Sequence, residues 1–474
     1  MCLTAHFMNS EWILQKRILN FYSLPPPYTG VSIADAIFHC FSDWGIESKV
    51  STITLDNASS NDSAVRYLKY SFSRISKLFF KGKIFHVRCC AHILNLMVQD
   101  GLHEIKDVIQ NIRESVKYLK MSISRLHNFA EIAKQVNISV PRHLVLDVPT
   151  RWNSTYAMLE SALIFRDVFP RYGDRDNNYV WLPSDLDWEK AENVCKILEV
   201  FHDASNVFFG VSYPTSNLFL PEIWKVKQIL NKKSVEFAET HYLKSMVDRM
   251  KSKFEKYWGQ CNLLMSIAAV LDPRFKIKLI EFSFPKIYPA QEADKNIRYV
   301  IDSLYELYAE YVASNAVSND KDEDKVKGEA SNSVSTHIKG KTKGRSDFDI
   351  WAKQMDKVEP SKSDLDVYLE EGIYLCGNDE EFSALNWWKN KTLQFKLLSK
   401  MARDILSIPV STVASESAFS AGGRVLDQYR SSMKPETVEA LICTGDWLRS
   451  EYGLAISEVG LQRDEESMQE VHLE

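Results

Sequence analysis

No run of about 18 apolar residues occurs anywhere in the 474-residue chain, which excludes a transmembrane helix. No charged segment followed by an apolar stretch opens it, so no secretory signal peptide is expected. Paired cysteine spacing is also missing. The eight cysteines, at 2, 40, 89, 90, 195, 261, 376 and 443, are scattered, which suits buried thiols in a reducing compartment and argues against disulfides. No C-x₂-C followed by spaced histidines is present, and no structural zinc is expected. An excess of basic residues is lacking too. With 58 Lys and Arg against 63 Asp and Glu, a net charge of −5 and a pI near 6.2, nucleic acid has to be met by local patches. What the chain does have is 45% hydrophobic and 12% aromatic residues, enough for two or three packed regions.

The most informative stretch is Ile408-Pro-Val-Ser-Thr-Val-Ala-Ser-Glu-Ser-Ala-Phe-Ser-Ala-Gly-Gly-Arg-Val-Leu426. It predicts a helix beginning just after Pro409, capped by Ser411 and stopped at Gly422-Gly423. Glu416 sits in it among small residues, as a salt-bridged helix glutamate or as a functional acid needing a base or a metal. A second acid, Asp56, follows the β-branched strand Val50-Ser-Thr-Ile-Thr-Leu55 at its carboxyl end, where α/β sheets present ligands. An Asx-turn or N-cap role accounts for Asp56 equally well. Upstream, Met1 to Phe7 reads as a strand, with a hairpin turn near Asn9 and a return strand around Trp12 to Leu19. Ile33, Ala36, Ile37, Cys40, Phe41 and Trp44 mark an amphipathic helix.

Further along, a helix is predicted from about His103 to Lys134, with an apolar stripe of Ile105, Ile109, Ile112, Val116 and Leu119. Its Arg113, Lys117, Lys120 and Arg125 are candidates for phosphate contacts or belong to a solvated face. His143 to Val148 is strand-like, and Arg151-Trp152 precedes a helix over Tyr156 to Phe169. Trp152 is a core residue or a base-stacking surface. Residues 181–311 carry helical periodicity, broken at Leu271-Asp-Pro-Arg-Phe275, where Asp272 reads as an N-cap. Residues 314–347 are polar enough to be a disordered linker, and Lys339 to Arg345 form a weak basic cluster of nuclear-import type. Beyond it, helices are expected over Leu393 to Leu406 and from Pro435, the latter carrying Val438, Leu441, Ile442 and Leu448.

Four segments occur together in order: Thr54-Leu-Asp-Asn-Ala-Ser-Ser-Asn-Asp62, Phe85-His-Val-Arg-Cys-Cys-Ala-His-Ile-Leu-Asn-Leu96, Thr150-Arg-Trp-Asn-Ser-Thr155 and the Ser411 to Leu426 run. In this the chain resembles the hAT-superfamily transposases, particularly the plant RICESLEEPER-like members, many of them domesticated. The resemblance implies an α/β plus α fold. A ribonuclease-H-like core is interrupted by a large all-helical insertion and followed by a helical C-terminal dimerisation region. The expected organisation is a core over 1–148, the insertion over 149–360, the dimerisation region completing the core over 361–450, and a flexible tail over 451–474.

In that family three carboxylates hold divalent metal ions for phosphodiester chemistry, and Mg²⁺ is the cofactor an active member needs. By motif, Asp56 resembles the second aspartate and Glu416 the glutamate. The first aspartate belongs to a strand expected ahead of Met1, and Asp35 and Asp43 lie on a helix, so the core is expected to lack its first strand and one ligand. The BED zinc finger of full-length relatives is likewise not found. Cys89 and His92 form the family's C-x-x-H motif, and Arg151 and Trp152 its R-W motif, whose aromatic stacks on an extruded base. Arg113, Lys117 and Lys120 complete the candidate DNA-binding set, and Leu441, Ile442 and Leu448 the dimerisation set. The expectation is a nuclear, DNA-binding, homodimeric transposase derivative without catalysis. Its rivals are an active transposase represented by a truncated gene model and a protein-interaction scaffold that binds no DNA.

Overall fold

A computed structural model describes residues 1–75, 78–138, 143–258, 262–325, 362–375, 377, 382–425 and 433–453. The chain opens with an antiparallel hairpin, β1 (Cys2–Met8) and β2 (Leu14–Phe21). Its turn is held by Asn9, whose Oδ1 accepts from the backbone N–H groups of Glu11 and Ile13 at 3.0 and 2.9 Å. Helix α1 (Gly30–Asp43) follows, capped by Thr29, and buries Ala34, Ile37, Cys40 and Phe41 as its periodicity requires. Then comes β3 (Ile53–Leu55), α2 (Ser59–Ile75), β4 (His86–Arg88) and α3 (Cys90–Leu102). Strands β3 and β4 pair in parallel, so among the described residues the strands form two separate two-stranded sheets.

The remainder is helical. The expected long helix from His103 to Lys134 divides into α4 (Lys106–Lys120) and α5 (Ile123–Gln135), because the Ser122 side chain caps a new start. The predicted stripe does face the core: Ile105, Ile109, Ile112, Val116 and Leu119 are all buried. His143 to Val148 is not a strand. Two of its backbone N–H groups turn to helix side chains instead of a neighbouring strand, Ser161 Oγ accepting from Val145 N–H and Ser154 Oγ from Val148 N–H.

Helices α6 (Trp152–Ile164), α7 (Val168–Gly173), α8 (Asp185–Phe208), α9 (Phe219–Glu236), α10 (His241–Trp258), α11 (Leu263–Val270), α12 (Lys276–Ile287) and α13 (Ala290–Lys325) build the largest core cluster. The break at Leu271 to Phe275 is present, but Asp272 is more than a cap. It is fully buried, accepting from Asn217 Nδ2 at 2.7 Å and from the Arg274 guanidinium at 2.7 and 3.0 Å. Helix α13 runs on to Lys325, so the start of the predicted linker is helical; the Lys339 to Arg345 cluster lies outside the described residues.

The C-terminal part comprises α14 (Asp364–Glu370), α15 (Ala384–Asn390), α16 (Leu398–Leu406), α17 (Val413–Val425) and α18 (Pro435–Glu451). Helix α16 starts later than the apolar pattern suggested, and Leu393 is exposed, whereas Leu398, Met401, Ala402, Ile405 and Leu406 are buried. These helices join the same core as those before them: Trp388 Nε1 on α15 donates to the Leu271 carbonyl and Tyr368 Oη on α14 to that of Val270. Among the described residues no helix is long and apolar enough to cross a membrane.

Candidate functional site

Asp56 and Glu416, 360 positions apart, line one cavity of about 1140 Å³. Asp56 arrives there because β3 ends at Leu55 and the chain turns into α2. Its Oδ1 accepts from Ala58 N–H at 2.9 Å and Asn61 Nδ2 at 2.7 Å, an Asx-turn that fixes the carboxylate at the strand's end. Turn-former and cavity-facing acid are therefore one residue. Glu416 arrives from the first turn of α17, which begins at Val413; Ser411, the expected cap, is buried and donates to the Phe208 carbonyl instead. Glu416 itself is exposed, so it carries no burial penalty that a metal or base has to relieve.

Thr412 is the residue that the sequence did not single out. Its hydroxyl lies 2.8 Å from Glu416 Oε1 and 3.2 Å from Cys89 Sγ, and its backbone N–H reaches the same sulfur at 3.3 Å. One hydroxyl carries one proton, which the charged carboxylate attracts more strongly, leaving the N–H to the thiol. Cys89 Sγ also accepts from His92 N–H at 3.4 Å, capping α3. The C-x-x-H motif thus ties the β4–α3 junction to the start of Glu416's helix. Burial pushes the Cys89 thiol above its usual range, with the Thr412 contacts acting in the opposite sense. His92 supplies its backbone to this joint, and among the described residues no three His, Cys, Asp or Glu are placed to share a metal ion.

The Mg²⁺ that such a fold implies does not fit this donor set. Asp56 has one oxygen committed to two hydrogen bonds, Glu416 has one shared with Thr412, and the described residues bring no third acid to them. Two partly committed carboxylates do not make a two-metal centre, so no step through a metal follows from these residues. Nearby, Arg88 pairs with Asp62 at 2.8 Å and donates to Asn57 at 3.3 Å. Burial together with the Arg88 charge depresses the His86 imidazole to about 4, so it is neutral at pH 7.

The other expected residues fall elsewhere. Trp152 is buried, with 3% exposure, at the first turn of α6 and packs in the core, one of the two placements its sequence left open. Arg113 is not free for phosphate either. Its Nε and Nη2 make paired 2.7 Å bonds to the two oxygens of the buried Asp147. Lys120 donates to the Leu144 carbonyl at 3.2 Å, and its burial lowers its pKa. Lys117, near Glu114 at 3.7 Å, and Arg151 do remain exposed. In α18, Leu441 and Leu448 are 50% and 45% exposed, but Ile442, at 4%, packs on Ile18, Ala418 and Val438. Ile442 is a core residue because helical spacing turns it toward β2. The periodicity of α18 alone carried the signal that separates these neighbours.

Four families match the chain in order. They are the ZBED1 RNase-like domain over residues 1–84, the ZBED1 RNase-like helical domain over 87–197, the hAT-like transposase RNase-H fold over 217–311, and the hAT family C-terminal dimerisation region over 364–448. Zinc finger BED domain-containing protein RICESLEEPER 2 of Oryza sativa subsp. japonica is 43% identical over 455 residues, 94% of this chain and 62% of its own length. RICESLEEPER 4 of the same organism is 36% identical over 465 residues, 94% of this chain and 67% of its own. DAYSLEEPER of Arabidopsis thaliana is 36% identical over 446 residues, 94% and 61% respectively. The chain thus spans about three fifths to two thirds of these relatives' length. With relatives of this identity and family matches running from the hairpin to α18, the chain belongs to the RICESLEEPER-like branch of the hAT transposase family.

Proposed function

We propose that this chain is a transposase-derived protein that dimerises and meets DNA through local basic patches in the nucleus, and that it does not cleave DNA by itself. The observation that carries the reading is the pair of acids, Asp56 and Glu416, sharing one cavity with no third acid among the described residues. In this reading the hairpin and the β3–β4 pair are parts of one ribonuclease-H-like sheet, and helices α6 to α13 are an insertion. Arg151 and Lys117, both exposed, remain the candidate phosphate contacts.

The same convergence of two acids favours a second reading, a true transposase core awaiting its remaining ligand. Incubating the purified chain with supercoiled plasmid and Mg²⁺ separates the two. No nicking above the Asp56→Asn, Glu416→Gln double variant is expected. Nicking that disappears in that variant overturns the first reading in favour of the second. Retention on duplex DNA should fall steeply with salt; a flat salt response discards DNA binding and leaves a protein-interaction role.

Dimerisation is supported by the shape of α18. Leu441, Leu448 and Tyr452 lie at i, i+7 and i+11, an exposed apolar stripe on one face of the helix and its cap. Leu441→Glu with Leu448→Glu is expected to weaken self-association by roughly thirtyfold or more, about 2 kcal/mol for losing interface anchors. Melting should change little, since both side chains are exposed. Sedimentation velocity at several concentrations reads the outcome, and an unaltered dimer moves the interface away from α18.

A further inference from the structure

We infer that the outer face of α2 is a docking surface for a single strand of nucleic acid, an assignment that rests on the DNA-binding role proposed above and gives it a place and a strand preference. From Ser63 to Lys83 the chain carries six Lys and Arg and no Asp or Glu, in a protein whose net charge is −5. With 63 acids in 474 residues, a stretch of that length holds about three on average, so the local charge here opposes that of the whole molecule.

Helix geometry sorts these residues. Ala64, Val65, Leu68 and Phe72 form the buried stripe of α2 and pack with Ala34, Ile37 and Phe41 of α1. Arg66, Tyr70 and Arg74, at i, i+4 and i+8, stand on the opposite face with Tyr67 beside them, and all four are exposed. The two tyrosines are 48% and 63% exposed, large rings that add nothing to an apolar stripe already complete without them. Among the described residues Arg66 bonds to Ser63 Oγ at 2.9 Å, the Arg74 guanidinium lies 5.7 Å from the centre of the Tyr70 ring, and neither arginine pairs with a carboxylate.

The acids that reach this region are already engaged. Asp62, the sole acid of α2, pairs with Arg88 at 2.8 Å. Glu306 of α13 is shared by two lysines, Lys81 at 3.0 Å and Lys83, so one carboxylate meets two cations. Lys69 donates to the Gly82 carbonyl at 2.9 Å, which holds the Lys81-Gly82-Lys83 turn against α2 and keeps its charge beside the helix. A net positive surface results, with Arg66 and Arg74 about 12 Å apart along the axis. An acidic peptide or a polyphosphate would satisfy the cations and leave the two rings without a partner. Bases give the rings flat faces to stack on, and phosphates reach the flanking arginines, which is the combination a single strand offers. In an intact duplex only base edges face outward, so exposed rings find no base face there.

The test is fluorescence anisotropy of the full chain with a labelled twelve-nucleotide oligothymidylate and with a duplex of the same length, each across a salt series. Tyr67→Ala with Tyr70→Ala is expected to weaken single-strand binding about tenfold or more and to change duplex binding little. Tyr67→Phe with Tyr70→Phe keeps both rings and should bind as the parent does. Arg66→Gln with Arg74→Gln is expected to flatten the slope of log affinity against log salt by about 1.4, for two phosphates at about 0.7 each. All four side chains are exposed, so melting should shift little in any variant. Equal losses on the two forms, or a phenylalanine pair as weak as the alanine pair, overturn base stacking and with it the strand preference. If the alanine and glutamine pairs keep the parent's affinity and salt slope, DNA is held elsewhere and the α2 assignment alone fails. A parent chain that binds neither form at any salt removes the DNA-binding role together with this site.

Discussion

Trp152→Ala is expected to destabilise the chain by about 3–5 kcal/mol, the cost of removing a large aromatic from a packed core. The indole is buried at the head of α6, in the same cluster as Met158, Leu159 and Ala162 on that helix and Ile93, Leu94 and Met97 on α3. A hole left there cannot collapse without moving the junction between the first helices and those that follow. Its backbone is engaged too, Trp152 N–H lying 3.5 Å from Asn95 Oδ1. Trp152→Phe keeps most of the apolar volume and should cost well under half as much. Denaturant unfolding followed by circular dichroism measures both. If the ring instead served as a stacking platform, Trp152→Ala would leave the unfolding midpoint in place and weaken only binding to single-stranded or distorted DNA. That pattern would restore the role that the R-W motif suggested.

Trp152 also shows what a sequence can and cannot reveal. Helical periodicity made the core of α1 and α4 readable, because a residue's position on a 100° wheel fixes which way it faces. The turn chemistry of Asn9 and Asp56 was readable for a similar reason, since both act on backbone groups within four residues. Strands were harder. His143 to Val148 has the composition of a strand, yet its partners are the hydroxyls of Ser154 and Ser161, and strand identity depends on a neighbour that no local pattern contains.

The site was legible in part. Motif and strand-end position singled out Asp56 and Glu416, and the fold brings both to one cavity. Thr412 was passed over because it looks like any residue before a helix; its weight comes from Cys89, 323 positions away in the chain. Arg113 and Lys120 misled for the opposite reason. On a helical wheel they stand beside the apolar stripe, where solvated cations are common, and only the tertiary fold supplies the carboxylate and carbonyl that occupy them.

Arg113→Ala is the second substitution with a large expected effect, again about 3–5 kcal/mol, because it strands a buried charge. The Asp147 side chain is wholly inaccessible, and its oxygens take two bonds from Arg113 and one from Thr155 Oγ1 at 2.8 Å. The Asp147 hydrogen bonds raise the Arg113 pKa further, so the cation is permanent across the accessible range. The pair pins the segment before α6 onto α4, which is how residues 143–148 stay ordered without a sheet. Arg113→Lys should recover little, since an ammonium cannot reproduce the two-pronged geometry. Removing both charges, as Arg113→Met with Asp147→Leu, should recover much of the loss, because an apolar pair owes no desolvation cost. A double-mutant cycle on unfolding free energies therefore yields a strongly favourable coupling. A coupling near zero, with Arg113→Ala instead reducing the salt dependence of DNA retention, would return Arg113 to the phosphate-contact role.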